Sequence, residues 1–174
     1  MTGIGAAFVI LSSVIAVALW VDHCTRSRRR PHTAAGVVIY DSDLVLTVTR
    51  KDDATQVGLP MGKFEPGVDA DLLDTAVREV REETGVVLDR ELLRFVMCAD
   101  GDTGNDTGSC MTTTYFCTAE AIVRLVEKAP GETGIVAWRD RAALLHGPFS
   151  RYNFLLLRTL WEKGLTPAYR VPAA

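Results

Sequence analysis

Residues 78–86 read Arg-Glu-Val-Arg-Glu-Glu-Thr-Gly-Val, and this stretch decides the fold. The apolar residues at positions 73, 76, 77 and 80 recur at helical spacing, which predicts an amphipathic helix over residues 71–84. Asp71 is the expected N-cap, and Gly85 is the expected C-terminal stop. One face of this helix is therefore expected to pack on a sheet, while the other faces a cavity.

Three carboxylates lie on one arc of the predicted helix, because Glu79, Glu82 and Glu83 stand at positions i, i+3 and i+4. Like charges at this spacing repel each other and destabilise a helix. A hard cation such as Mg²⁺, which takes oxygen ligands, turns the repulsion into attraction. The alternative explanation is an exposed face without function, in which Arg78 pairs with Glu82.

The segment before the helix completes a longer motif. Residues 58–67 read Gly-Leu-Pro-Met-Gly-Lys-Phe-Glu-Pro-Gly. Together with residues 78–86 they resemble the Nudix box, G-x5-E-x7-R-E-U-x-E-E-x-G-U, in which U is a bulky aliphatic residue. The second half matches at every fixed position, and Gly62 fits the opening glycine. The resemblance covers residues 33 to about 160, with its specific part in residues 58–86.

The chain departs from the box at one place. Val68 stands where the family has a glutamate, and nine residues rather than seven separate Val68 from Arg78. Asp69 or Asp71 is a candidate replacement for that glutamate. Otherwise the extra residues only lengthen the start of the helix.

The resemblance implies roles for individual residues. Glu79, Glu82 and Glu83 are the expected metal ligands, with Mg²⁺ as the cofactor and Mn²⁺ as the alternative. Glu82 or Glu83 is expected to position or deprotonate the attacking water, and Arg78 to orient the carboxylates. Because this family often takes its general base from another loop, Glu132 is an additional catalytic candidate. Its alternative role is that of a solvated glutamate in a turn.

The expected reaction is Mg²⁺-dependent hydrolysis of a pyrophosphate bond linked to a nucleoside diphosphate. The substrate class covers oxidised nucleotides, nucleotide sugars and ADP-ribose. Arg50, Gly62 and Lys63 are the expected substrate-binding residues. Two alternatives keep the fold without turnover. They are a nucleotide sensor, suggested by Val68 and the insertion, and a membrane-tethered module that recruits a partner protein.

The remaining pattern predicts an α/β (α+β) fold with a mixed sheet and helices on its faces. The resemblance implies an α/β/α sandwich. The predicted strands cover residues 33–40, 44–49, 91–99, 111–119, 121–127 and 134–138. A long loop over residues 51–66, with a short strand near Lys63, and a polar loop over residues 100–109 are also expected. Further helices are predicted at residues 141–145 and 150–162.

The N-terminus has a different composition. Residues 1–21 contain no Asp, Glu, Lys or Arg, which predicts a transmembrane helix over residues 1–22. A linker over residues 23–32 carries four arginines, so the Nudix domain of residues 33–174 is expected on the cytoplasmic side of a single-pass membrane protein. A cleaved signal peptide is the rival interpretation, and the missing positive n-region disfavours it. The other alternative is that these residues are an upstream extension that is not translated in the functional protein.

Charge limits the expected partners. Residues 1–30 carry a net charge of +3 and the whole chain carries −3, so residues 31–174 carry −6. An acidic body argues against nucleic acid, whose binding needs clustered Lys and Arg. The expected partners are therefore a small-molecule nucleotide and the membrane.

Overall fold

A mixed sheet forms around its central strand in the computed structural model, which describes residues 32–101, 110–131, 133–146 and 149–166. The strands are β1 (His32–Asp41), β2 (Leu44–Thr49), β3 (Val57–Gly58), β4 (Met61–Lys63), β5 (Val86–Leu88), β6 (Arg94–Gly101), β7 (Cys110–Thr118), β8 (Ile122–Leu125) and β9 (Val136–Asp140). The helices are α1 (Leu72–Thr84) and α2 (Ser150–Glu162). Short 3₁₀ turns cover Arg90–Leu92, Ala119–Ala121 and Arg141–Leu145.

Strand order shows why the sheet is mixed. Within the described residues, seven strands form one sheet with the path β3-β2-β1-β7-β6, while β4 pairs with β1 and β9 pairs with β2. The β1–β7 pairing is parallel and the others are antiparallel. β5 and β8 form a separate antiparallel pair. β1 diverges from β2 to pair with β4, which brings the segment before α1 onto the sheet.

The two faces of β1 bury two different clusters, because successive side chains of a strand point to opposite faces. Val37 and Ile39 belong to the cluster that contains Ala76 and Val80 of α1. Val38 belongs to the cluster that contains Leu156, Leu157 and Leu160 of α2. The result is a three-layer arrangement of helix, mixed sheet and helix, as predicted.

The ends of α1 are set by two residues that the sequence analysis predicted correctly. The Asp71 carboxylate accepts a hydrogen bond from the amide of Asp74 at 2.8 Å. Gly85 has φ of 75° and donates its amide to the carbonyl of Arg81 at 2.9 Å. A Cβ atom at Gly85 would overlap the carbonyl oxygen of Val126. Glycine is therefore required both by the left-handed backbone and by the close approach of the chain beyond β8.

Some predicted boundaries were wrong. The segment 86–88 forms β5, although no strand was predicted there, and the strand expected at 91–99 begins at Arg94 because a 3₁₀ turn precedes it. The short helix expected at 141–145 is present with these limits, as a 3₁₀ helix. The predicted loop of residues 51–66 contains β3 as well as β4, the expected short strand near Lys63. Most of the polar loop, residues 102–109, lies outside the described residues.

The predicted transmembrane helix of residues 1–22 and nearly all of the basic linker also lie outside the described residues. Among the helices that the structure describes, none is long and apolar enough to span a membrane.

Candidate active site

Arg78 is the centre of a charged cluster between α1 and the preceding loop. Its Nε donates to Asp69 Oδ1 at 2.8 Å and its Nη2 donates to Asp69 Oδ2 at 3.0 Å. Its Nη1 lies 2.9 Å from Glu79 Oε1 and 3.0 Å from Glu82 Oε2. Its Nη2 also donates to the main-chain carbonyl of Lys63. We call Arg78, Asp69, Glu79 and Glu82 the Arg78 cluster.

Of the two candidate replacements for the missing glutamate, Asp69 is the one that contacts Arg78. Its side chain is 2% exposed and accepts hydrogen bonds from the amide of Glu65 and the hydroxyl of Thr75, both at 2.9 Å. The hydrogen bonds from Arg78 are the main reason that the pKa of Asp69 lies well below its usual range. The loop thus supplies Arg78 with a buried carboxylate one residue beyond Val68.

Asp71, the other candidate replacement, serves a different purpose. Besides capping α1, its carboxylate accepts a hydrogen bond from Arg90 Nη2 at 2.6 Å. Asp71 therefore caps the helix, while Asp69 contacts Arg78.

Gly62 lies against the carboxyl group of Glu79. A Cβ atom at this position would overlap that carboxyl group, so the loop approaches α1 this closely because residue 62 has no side chain. Burial raises the pKa of Glu79 above its usual value, while Arg78 opposes this effect. A cation close to Glu79 therefore stabilises its ionised form.

The three predicted metal ligands are held by different partners. Glu79 and Glu82 pair with Arg78, whereas Glu83 Oε2 accepts a hydrogen bond from the amide of Met61 at 2.9 Å. Within the part of the chain that the structure describes, no three Asp, Glu, His or Cys side chains are arranged to hold a metal ion. Even so, oxygens of Glu79 and Glu82 converge on one guanidinium nitrogen. Hard oxygen donors that already converge on a cation fit Mg²⁺ or Mn²⁺.

We call Glu79, Glu82 and Glu83 the carboxylate ridge of α1. A cavity of about 490 Å³ lies beside this ridge, and Glu83 is part of its lining. We call it the β2 cavity, because the end of β2 forms one of its walls. It is lined by Val48, Thr49, Arg50, Lys51, Asp52, Gln56, Val57, Gly58, Leu59, Met61, Glu83, Thr133 and Phe149. A cavity of this size holds a small-molecule ligand.

The cavity brings together some of the predicted residues and leaves others outside. Arg50 and Glu83, distant in sequence, both line it. Gly62 lies against Glu79 instead, and Lys63 is exposed while its carbonyl holds Arg78.

The Nε of Arg50 donates to Asp52 Oδ1 at 3.1 Å, and among the described residues its other nitrogens have no hydrogen-bond partner. Its neighbour Lys51 also lines the cavity, so two basic residues stand on one wall.

The loop after β8 ties the C-terminal end of α1 to the cavity. The amide of Ala129 donates to the carbonyl of Glu82 at 2.9 Å, and the hydroxyl of Thr133 donates to the carbonyl of Glu83 at 2.8 Å. These are carbonyls that a helix end leaves without a partner in the helix. Thr133 also lines the β2 cavity. Glu132, the additional catalytic candidate of this loop, lies outside the described residues.

Gln56, Thr133 and Phe149 were not predicted from the sequence as site residues. A polar residue after the turn at residues 52–55 was the available signal for Gln56. Thr133 stands between glycines in an ordinary turn pattern, and Phe149 fits a core position equally well, so neither carried a usable signal.

A family model, described as the NUDIX domain, matches residues 30–158. The chain therefore belongs to the Nudix family. This match confirms both the resemblance and the predicted enzyme class, a Nudix pyrophosphohydrolase.

Solved structures share the fold. The NUDIX domain of Shewanella oneidensis NrtR, complexed with ADP-ribose, is 19% identical with a TM-score of 0.61, covering 79% of this chain and 91% of that one. An ADP-ribose pyrophosphatase from Streptococcus suis is 19% identical with a TM-score of 0.56, covering 81% and 97%.

A bifunctional NMN adenylyltransferase/ADP-ribose pyrophosphatase from Francisella tularensis, complexed with AMP and a Mn ion, is 18% identical with a TM-score of 0.60. The alignment covers 87% of this chain and 48% of that one, so this chain matches about half of the bifunctional protein. At these identities the likeness shows the fold alone. None of the curated proteins compared with the chain matches it at a significant level.

Proposed function

We propose that the protein hydrolyses a pyrophosphate bond linked to a nucleoside diphosphate, with Mg²⁺ or Mn²⁺ bound by Glu79, Glu82 and Glu83. One observation carries this proposal. Oxygens of Glu79 and Glu82 converge on a single cationic nitrogen, and Glu83, the next residue, lines a cavity with Arg50 and Lys51. Metal-binding carboxylates and anion-binding side chains thus lie side by side, as a diphosphate substrate requires.

The roles of the residues follow from their contacts. A bound divalent metal would shield the diphosphate and lower the pKa of a bound water. Arg78 orients the carboxylates, because it contacts both Glu79 and Glu82 and is itself fixed by Asp69. Glu82 is 40% exposed and Glu83 reaches the cavity, so these two carboxylates are placed to position or deprotonate water.

The nature of the substrate is supported by the fold relatives, among which one is complexed with ADP-ribose and another with AMP and a Mn ion. Adenine nucleotides joined through a pyrophosphate, including ADP-ribose, are therefore the first substrates to test. Nucleotide sugars and oxidised nucleoside triphosphates complete the panel.

The test is nucleotide release by the purified full chain with each substrate, in Mg²⁺, in Mn²⁺ and in chelator. We expect metal-dependent turnover that falls by roughly 10²–10⁴-fold in the Glu82→Gln plus Glu83→Gln variant. Glu91→Gln is the matched control, because Glu91 is an exposed carboxylate in the 3₁₀ turn Arg90–Leu92. Nucleotide binding without turnover in the wild type would support the sensor alternative instead.

Anchoring of the protein is a separate part of the proposal. The uncharged stretch of residues 1–21 and the arginines at 26 and 28–30 support a single membrane span, with the Nudix domain on the cytoplasmic side. Carbonate extraction of membranes tests it. The full chain should stay in the membrane pellet. The Val9→Arg plus Val14→Arg variant should be released into the supernatant.

A further inference from the structure

The turn after β2 fixes the orientation of one amide at the β2 cavity. Asp53 accepts hydrogen bonds from the amide of Thr55 at 2.9 Å and from Gln56 Nε2 at 2.8 Å. The main-chain carbonyl of Asp53 accepts from the amide of Gln56, and the carbonyl of Gln56 accepts from the amide of Arg50, both at 3.2 Å. Gln56 is therefore held at its main chain and at the end of its side chain.

The chemistry of Asp53 decides which end of the Gln56 amide faces it. Hydrogen bonds, first from the Thr55 side chain, lower the pKa of Asp53, so its carboxylate is ionised and only accepts hydrogen bonds. The NH₂ group of Gln56 must then point to Asp53, which leaves Oε1 as the other end. Among the described residues, Oε1 of Gln56 has no hydrogen-bond partner. The residue lines the β2 cavity, so it offers this cavity an oriented acceptor.

Apolar and aromatic side chains line the same cavity as this acceptor. Val57, Leu59 and Phe149 line the same cavity, and Phe149 is half-buried at the start of α2. A flat aromatic ring binds a nucleobase by stacking, whatever the identity of the base. A hydrogen-bond acceptor beside such a ring adds selectivity, because it favours a base that carries a donor.

We propose that Gln56 and Phe149 form the nucleobase subsite of the β2 cavity, where Gln56 Oε1 accepts a hydrogen bond from an exocyclic amino group of the base. This inference rests on the proposed function, since it takes the ligand to be a nucleotide. It deepens that function by naming the substrate class as nucleotides with an amino-substituted base. A ribose hydroxyl is the competing donor, and the experiment separates the two.

The experiment measures nucleotide binding to the full chain by isothermal titration calorimetry, so it does not depend on turnover. The matched pairs are AMP with IMP, GMP with IMP, and CMP with UMP, together with 2′-deoxy-AMP and 3′-deoxy-AMP. In the wild type we expect one amino-substituted member to bind about tenfold more tightly than its partner. In Gln56→Leu, the affinities for the two nucleotides of that pair should differ by no more than about twofold.

Two further variants keep the proposal falsifiable if Gln56→Leu folds poorly. Asp53→Asn removes the group that fixes the amide, so the preference should fall, whereas Asp43→Asn, in the exposed β1–β2 turn, should leave it unchanged. Phe149→Leu should weaken the binding of every nucleotide by about tenfold, while the preference for the amino-substituted base remains.

The proposal is overturned if the preference is unchanged in both Gln56→Leu and Asp53→Asn. It is also overturned if these variants change the discrimination against the deoxynucleotides instead, or if no nucleotide binds to the wild type. Hydrolysis of a diphosphate substrate with an unchanged preference would refute the subsite alone. A preference that depends on Gln56 in a chain without turnover would refute the hydrolase alone.

Discussion

The Arg78 cluster and the β2 cavity adjoin each other but are built in opposite ways. In the cluster, a buried carboxylate and a 16% exposed guanidinium are joined by hydrogen bonds over a sequence separation of nine residues. In the cavity, the paired guanidinium of Arg50 is 55% exposed, and the lining residues come from distant parts of the chain. The cluster therefore holds a fixed geometry, whereas the cavity leaves cationic and polar groups exposed to a ligand.

The largest expected effect comes from breaking the Arg78 cluster. Arg78→Met leaves the Asp69 carboxylate buried without its main partner, so we expect a loss of roughly 3 kcal/mol in the free energy of unfolding. Arg50→Met breaks the exposed pair with Asp52 and should leave the unfolding midpoint nearly unchanged. Urea denaturation of the two variants measures the difference. Equal midpoints would contradict the assigned roles of the two arginines.

The cluster should also make stability depend on pH. The folded-state pKa of Asp69 is lowered, so its contribution is fully present above the unfolded-state pKa of about 3.9 and is lost as the pH falls towards the folded-state pKa. Below about pH 4, Asp69 should therefore add at most about 1.4 kcal/mol per pH unit to the slope of stability against pH. Denaturation of the wild type and Asp69→Asn measures it, from about pH 5, where the contribution is fully present, to about pH 3, where part of it has been lost. Parallel curves would refute the assignment.

A smaller effect is expected where the cluster meets the loop. Gly62→Ala places a Cβ where the Glu79 carboxyl group lies, and this flexible end of a side chain must move. Stability should change by less than about 1 kcal/mol, while metal-dependent turnover falls by about tenfold because a carboxylate is displaced. Steady-state kinetics with a metal titration tests this. Full activity at ordinary metal concentrations would show that the position of Glu79 is unimportant.

The smallest effect is expected at the connection between the two regions. Thr133→Val keeps the shape of the side chain but removes the hydrogen bond to the carbonyl of Glu83, which should cost about 1 kcal/mol of stability. We expect kcat to fall a few-fold, since Glu83 loses one of its constraints. Thr133→Ser retains the hydroxyl and is the matched control. If Thr133→Val and Thr133→Ser have the same kcat, the hydrogen bond has no role in positioning Glu83.

The sequence predicted the cluster better than the cavity, for a physical reason. Helical periodicity, a capping aspartate and a terminal glycine are local signals, so α1 and its carboxylate ridge were found with the correct limits. Asp69 remained one of two candidates, because spacing alone does not show which carboxylate is buried against Arg78. The structure separates them, since Asp71 is occupied as the cap.

The cavity and some of the short strands carried no such signal. Gln56, Glu83, Thr133 and Phe149 meet only after the sheet has formed, and no local pattern encodes their proximity. β5 is three residues long and follows directly on Gly85, which is too short for an alternating pattern. Its pairing with β8 is a tertiary contact that the local sequence does not predict.

The most direct test of the central claim is the binding of Mn²⁺ to the full chain, followed by electron paramagnetic resonance. We expect saturable binding in the wild type and in Glu91→Gln, and its loss in the Glu79→Gln, Glu82→Gln, Glu83→Gln variant, whose folding at the measuring temperature is checked by circular dichroism. Equal Mn²⁺ binding by the wild type and the folded triple variant would contradict a metal site on the carboxylate ridge of α1.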